Sequence, residues 1–277
     1  MIKEKVDHSA TEQGVLVDLT KCIGCGSCTV ACKMYNANKW VEGKAPTSGE
    51  NARLADENWT VVQKCNIKEK DGNEVWRFAK KQCYHCKEPA CVTACLSRAF
   101  QKTPEGPVLY YPRNCIGCRY CMIACPFNMP KFEWDKPTPV LTKCMMCSGR
   151  LAKGEMPACV SVCPTNVMKF GNREKLLEEA KEIVEPGTSK YVKHIYGEEE
   201  AGGTCWIYIS DKPFEQLGFK MDVPKKDIGS YSATFMHWNP ILGGIWGLIL
   251  GCLYFLSRRG KVQAATKKSE PHTKPEA

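Results

Sequence analysis

Sixteen of the nineteen cysteines fall into four groups whose spacing nearly repeats. Cys22, Cys25, Cys28 and Cys32 follow C-x2-C-x2-C-x3-C. Cys115, Cys118, Cys121 and Cys125 repeat it and are followed by Pro126. Cys83, Cys86, Cys91 and Cys95 stretch the middle gap to four residues. Cys144, Cys147, Cys159 and Cys163 stretch it to eleven and end on Pro164. Cys65, Cys205 and Cys252 stand outside the groups. An odd total cannot all be consumed by intramolecular disulfides, and 277 residues are enough to bury a core without such staples. Metal is the leading use for so many thiols.

A bunched triplet followed by Cys-Pro is the bacterial-ferredoxin signature for a [4Fe–4S] cluster. Three close cysteines on a tight loop wrap three corners of a cubane. Gly24, Gly26, Ser27 and Gly117 let the backbone approach the sulfides. The fourth cysteine, expected on the following helix, points to the other cluster of a pair. Zinc is the competing reading, but a zinc tetrahedron built from two C-x2-C pairs has no use for a third cysteine three residues on. Four groups of four ligands give four clusters if ligands are exchanged between groups, and the spacing supports exchange.

The intervening sequence fits an α+β fold of ferredoxin-like units. Strand-like runs enter the loops at Val15–Leu19, Val75–Phe78, Val108–Tyr111 and Pro139–Thr142, and Val167–Phe170 reads as a closing strand. Residues 33–82, rich in Asn, Lys and Glu, are expected to form surface loops that touch a partner. Asn172 to Val184 reads as an amphipathic helix capped by Asn172, with Leu176, Leu177, Ala180, Ile183 and Val184 on its apolar face and Pro186-Gly187 as its stop.

Residues 235–256 carry no Asp, Glu, Lys or Arg and would span about 33 Å as a helix, enough to cross a bilayer. Trp238, Tyr254 and Phe255 sit near the ends as interfacial aromatics do, and Gly243, Gly247 and Gly251 form a small-residue face for another helix. Downstream come Arg258, Arg259, Lys261, Lys267 and Lys268. The positive-inside rule therefore puts the 257–277 tail in the cytoplasm and the cysteine-bearing body on the periplasmic side. The first residues, Met-Ile-Lys-Glu-Lys-Val-Asp-His, show no apolar signal core and no twin arginine. Export of the folded body beside a signal-bearing partner is the expectation; a cytoplasmic body is the alternative.

The four-group pattern resembles the iron–sulfur subunits of molybdopterin oxidoreductase complexes. Cys22–Asn36, Cys115–Phe127, Pro157–Thr165 with Phe170-Gly171, and Ile195–Thr204 resemble the beta subunit of membrane-bound formate dehydrogenase. A related hydrogenase subunit shares the anchor and the Tyr-Gly-Glu segment, but tends to carry its own twin-arginine signal. The resemblance implies an outer unit (1–82 and 126–185) around an inner one (83–125), then a connecting segment (186–234), the span and the tail. It also implies the ligand sets Cys22/Cys25/Cys28/Cys163, Cys32/Cys144/Cys147/Cys159, Cys83/Cys86/Cys91/Cys125 and Cys95/Cys115/Cys118/Cys121, with electrons passing in that order. Two departures are visible. Leu96 follows Cys95 where proline is common, and Cys118 stands where nitrate reductase relatives carry tryptophan, so a full [4Fe–4S] cluster is expected there. The implied partners are a molybdenum or tungsten pterin subunit that oxidises formate and a membrane cytochrome b subunit, in a heterotrimer or its oligomer.

The residues themselves point to electron transfer. With every ligand position filled by thiolate, no iron needs an open site, and no catalytic set stands out beside the groups. His85 lies inside a ligand loop and is expected to hydrogen-bond a cluster rather than ligate it; His237 reads as an interfacial anchor. Cys65, Cys205 and Cys252 read as structural thiols. The formal charge of +9 would ordinarily suggest nucleic acid. Each oxidised [4Fe–4S] cluster with four thiolates carries 2−, so four bring the assembled chain to about +1. The basic excess then serves as compensation, and no nucleic-acid partner is expected. A wire serving a nickel–iron hydrogenase, a stand-alone membrane ferredoxin and a zinc-bearing nucleic-acid binder are the other readings.

Overall fold

A computed structural model describes residues 12–40, 46–69, 71–134, 136, 139–185 and 190–268. In chain order the elements are β1 (Gln13–Asp18), α1 (Ser27–Asn36), β2 (Ser48–Gly49), β3 (Thr60–Lys68), β4 (Glu74–Gln82), α2 (Ala90–Thr93), β5 (Phe100–Lys102), β6 (Val108–Tyr110), α3 (Tyr120–Ala124), β7 (Lys131–Phe132) and β8 (Leu141–Thr142). There follow α4 (Ser148–Leu151), α5 (Ala158–Ser161), β9 (Met168–Asn172), α6 (Arg173–Val184), β10 (Trp206–Ile209) and α7 (Ile228–Lys268). The chain divides into two units, residues 1–229 and 230–277.

The first unit is organised around β1, the middle strand of a three-stranded sheet. β9 runs antiparallel to it, with Val15 opposite Phe170, and β10 runs parallel, with Val15 opposite Trp206. Strand side chains alternate between faces, and here each face has its own core. Leu16, Ile207 and Ile209 pack under α6 against Leu176, Leu177, Ala180 and Val184. Val15, Val17, Trp206 and Tyr208 face the other way, into a core that contains Cys28, Cys159 and Met146. The helix expected at 172–184 is therefore present. Asn172 caps it by accepting hydrogen bonds from the Glu174 and Lys175 amides. Its expected stop, Pro186-Gly187, lies outside the described residues.

Two elements differ from the sequence expectation. Residues 33–82 do not consist of surface loops alone: β3 and β4 form a nine-residue antiparallel ladder, Thr60 opposite Gln82, with β2 alongside. Cys65 and Ile67 of β3 and Ala79 of β4 alternate on one face of this hairpin, Val62 lies on the other, and all four join the main core. β10 lies in the stretch read as a connecting segment, yet all four of its residues are buried. A second small core, Phe100, Val108, Tyr110, Phe132 and Leu141 with Cys91 and Cys121, is held by the paired strands β5–β6 and β7–β8.

The second unit is α7. Its Ile228–Arg259 portion is long and apolar enough to cross a membrane and contains the expected 235–256 segment. Pro240 sits within the helix.

Candidate metal centres

All nineteen cysteines are free. The four groups share one backbone device. The third residue of each C-x-x-C loop has positive φ: Gly24 at 72°, His85 at 52°, Gly117 at 73° and Met146 at 52°. This left-handed step turns the chain so that successive thiols converge and amides face inward. The Gly117 and Met146 amides donate to the Cys115 and Cys144 Sγ at 3.4 and 3.3 Å. A short helix carries the third cysteine of each group: Cys28 on α1, Cys91 on α2, Cys121 on α3 and Cys159 on α5. The fourth cysteine lies on a helix only in the first group, where α1 runs on to Cys32. Cys95, Cys125 and Cys163 fall just beyond their helices, in a turn whose carbonyl accepts from the residue three on, and each of those residues (Arg98, Asn128, Asn166) has positive φ.

The fold brings distant cysteines together. Cys22 is under the electrostatic influence of Cys163 and Cys25, and Cys28 of Cys22 and Cys25. Cys32 has Cys159 and Cys147 as neighbours, and Cys144 has Cys32 and Cys159. Cys86 has Cys125, Cys83 and Cys91; Cys121 has Cys95, Cys115 and Cys118. Between neighbourhoods the electrostatic influence runs in single file: Cys28 with Cys159, Cys144 with Cys83, Cys91 with Cys121. Among the described residues no group of three or more His, Cys, Asp or Glu is arranged to hold a single metal ion. Thiols that are neighbours without closing on one point suit the corners of a larger cluster.

Burial pushes the Cys28, Cys32 and Cys121 thiols up to about 12 and raises those of Cys86, Cys91 and Cys144 as well. Such thiols ionise only when a cation replaces the lost hydration, which is what iron supplies. His85 is fully buried. Its Nδ1 accepts from the Val108 amide at 2.9 Å, which places the ring proton on Nε2, and Nε2 has no partner among the described residues. A buried donor without a protein acceptor, on a cysteine loop, fits a sulfide-bearing cluster.

The spare cysteines are elsewhere. Cys65 and Cys205 are buried and Cys252 is exposed on α7. Cys205 Sγ lies 3.3 Å from both Lys102 Nζ and Glu12 Oε1, in a buried charged cluster whose members are far apart in the chain and share no spacing pattern. His237, expected as an anchor, lies within α7 beside Trp238.

A 4Fe-4S dicluster domain model matches residues 74–173, and a 4Fe-4S binding domain model matches residues 13–34. A protein of Nitratidesulfovibrio vulgaris (strain Hildenborough) is 41% identical, over 93% of this chain and 70% of its own. The iron-sulfur subunit of the nitrate-inducible formate dehydrogenase of Escherichia coli (strain K12) is 36% identical, over 80% of this chain and 76% of its own. The hydrogenase-2 operon protein HybA of Escherichia coli O157:H7 is 33% identical, over 84% and 82%. The two domains define an iron–sulfur electron-transfer protein. More narrowly, the chain belongs to the family of iron–sulfur subunits that includes those of formate dehydrogenases.

Proposed function

We propose that this chain is a four-cluster wire. It passes electrons from a molybdenum or tungsten pterin subunit that oxidises formate to a membrane cytochrome b partner. The single-file electrostatic influences between thiol neighbourhoods, on loops whose left-handed step turns each group's thiols together, carry the reading. They support clusters on Cys22/Cys25/Cys28/Cys163, Cys32/Cys144/Cys147/Cys159, Cys83/Cys86/Cys91/Cys125 and Cys95/Cys115/Cys118/Cys121, joined in that order. They likewise support an inner unit, 83–125, nested within an outer one formed by 1–82 and 126–185. The cluster chemistry is one-electron exchange; the protein spaces the clusters, shields them from water and sets their potentials through hydrogen bonds and burial.

The two ends of the wire are its exposed parts. Cys25 is exposed, with Ile23 and Met34 of the same group region 59% and 73% exposed. Cys118 is exposed, with Leu96 and Ile123 near its group's cysteines 84% and 80% exposed. Large apolar side chains left in water around terminal cysteines are what protein partners would cover. Export of the body to the periplasmic side, α7 in the bilayer and a heterotrimeric assembly complete the reading.

The similarity to HybA favours a second reading, the same wire serving a hydrogenase. Purification of the intact complex tests both. About sixteen iron atoms per chain, with molybdenum or tungsten and formate-dependent reduction of the clusters, is the expected result. Nickel together with hydrogen-dependent reduction would replace formate by hydrogen as the electron source.

A further inference from the structure

Lys80 is 2% exposed and among the largest fully buried side chains. It lies on β4, paired with Val62 of β3. Its Nζ donates to Thr60 Oγ1 at 2.9 Å and to Gln82 Oε1 at 2.7 Å, and sits 4.5 Å over the Trp206 ring. These partners orient an ammonium but carry no charge. Among the described residues no carboxylate lies within ion-pair distance of it. Lys102, by contrast, reaches the Glu12 carboxylate at 2.6 Å. An isolated buried ammonium is expensive, and such a group ordinarily loses its proton.

The Trp206 ring under Lys80 and its β3 partner Val62 lie in the same core as Cys28 and Cys159, cysteines of two neighbourhoods. Cys28 and Cys22 are in the first proposed ligand set; Cys32, Cys144, Cys147 and Cys159 make up the second. With two clusters of 2− beside it, the ammonium would find the compensating charge that its hydrogen-bond partners lack. Resting on the four-cluster reading, we propose that Lys80 is the shared counter-ion of the first two clusters. Its fixed positive charge between them raises both reduction potentials together and keeps the first electron step nearly level.

The chemistry is simple. A cubane with its four thiolates goes from 2− to 3− on accepting one electron, and no bond is made or broken. A cation beside it favours the more negative state and so raises the potential. Sharing one cation shifts both partners in the same direction, so their difference changes less than either value.

Potentiometric titration of the intact complex, followed by electron paramagnetic resonance, tests this. Iron content is measured on the same samples. Wild-type samples far short of four clusters would sink the underlying wire, independently of Lys80. Given four clusters, Lys80→Met is expected to lower two of the four potentials by at least tenfold in the reduction equilibrium, ~59 mV for one electron, and to leave the other two in place. Lys80→Arg is expected to stay near wild type. Thr60→Asp, which sets a carboxylate against the ammonium, is expected to lower the same two potentials. If Lys80→Met fails to hold those clusters while Lys80→Arg holds them, the requirement for a positive charge stands in stronger form. Loss of clusters in both variants would assign Lys80 to packing and overturn the proposal, as would unchanged potentials in clustered Lys80→Met and Thr60→Asp proteins.

Discussion

At the residue scale the chain separates thiols that are legible from their spacing from charges that are not. The sixteen grouped cysteines stand out because their spacing repeats, as the corners of the proposed cubanes would require. Cys121→Ala is expected to lose about four of about sixteen irons and one cluster's signals, whereas Cys65→Ala and Cys205→Ala keep all of them; iron analysis with paramagnetic resonance checks this. Gly24 shows a constraint visible only in three dimensions. Its φ is 72°, and an added Cβ would clash with the edge of the Phe78 ring, 2.4–2.6 Å from three ring carbons. Gly24→Ala should therefore destabilise the body by about 1–3 kcal/mol in thermal unfolding. Lys102 gives a pH-dependent case. Burial pushes its amine down, but Cys205 and Glu12 more than offset this and hold it raised above 10.5. A raised folded-state value means the pair's contribution is complete below about pH 10.5 and fades as pH climbs through the folded value. Lys102→Met should cost about 3–5 kcal/mol at pH 7, because the buried Glu12 loses the Lys102 cation and keeps only the Cys205 thiol beside that oxygen. Its unfolding temperature should then fall less steeply than wild type in alkali.

At the element scale, periodicity and partner distance decide what could be read in advance. α6 was plain because its apolar residues recur with the helical period and Asn172 stands at its cap. Asn172→Ala is expected to cost about 1 kcal/mol, and Leu176→Ala, 3% exposed under the sheet, about 2–5 kcal/mol, both by denaturant titration. β4 was partly visible as Val75–Phe78, but the hairpin it makes with β3 was hidden. The polar residues of 33–82 suggested solvent, and nothing in Lys80-Lys81 says which lysine turns inward. That choice is made by strand alternation: Lys80 goes under Trp206, while Lys81 reaches out to Gln63 and the Gly218 carbonyl. β10 escaped because four apolar residues after a turn are too short to distinguish from a packed loop, and its partner β1 lies at the other end of the body.

At the scale of the whole molecule, the apolar segment near the C-terminus was the most direct inference from composition. α7 carries exposed Trp238, Trp246, Leu248 and Phe255 along its length. Such a surface is stable in lipid and unstable in water. A chain ending at residue 229 should therefore leave the membrane fraction when expressed without its partners, while the full chain stays with it; ultracentrifugation of cell lysates reads the difference. The charge balance belongs to this scale too, since the basic excess makes sense only when summed with anionic clusters spread through the body.

The place of β1 also shapes how the protein is made. It is the centre of its sheet, yet both neighbours come late: β9 begins at residue 168 and β10 at residue 206. During synthesis, at about 5–20 residues per second, Val15, Leu16 and Val17 must wait roughly ten seconds or more before their first partner leaves the ribosome. Through that interval an apolar strand with two open edges is offered to any other nascent chain. Closure of this sheet therefore waits on residues 206–209, near the end of the first unit.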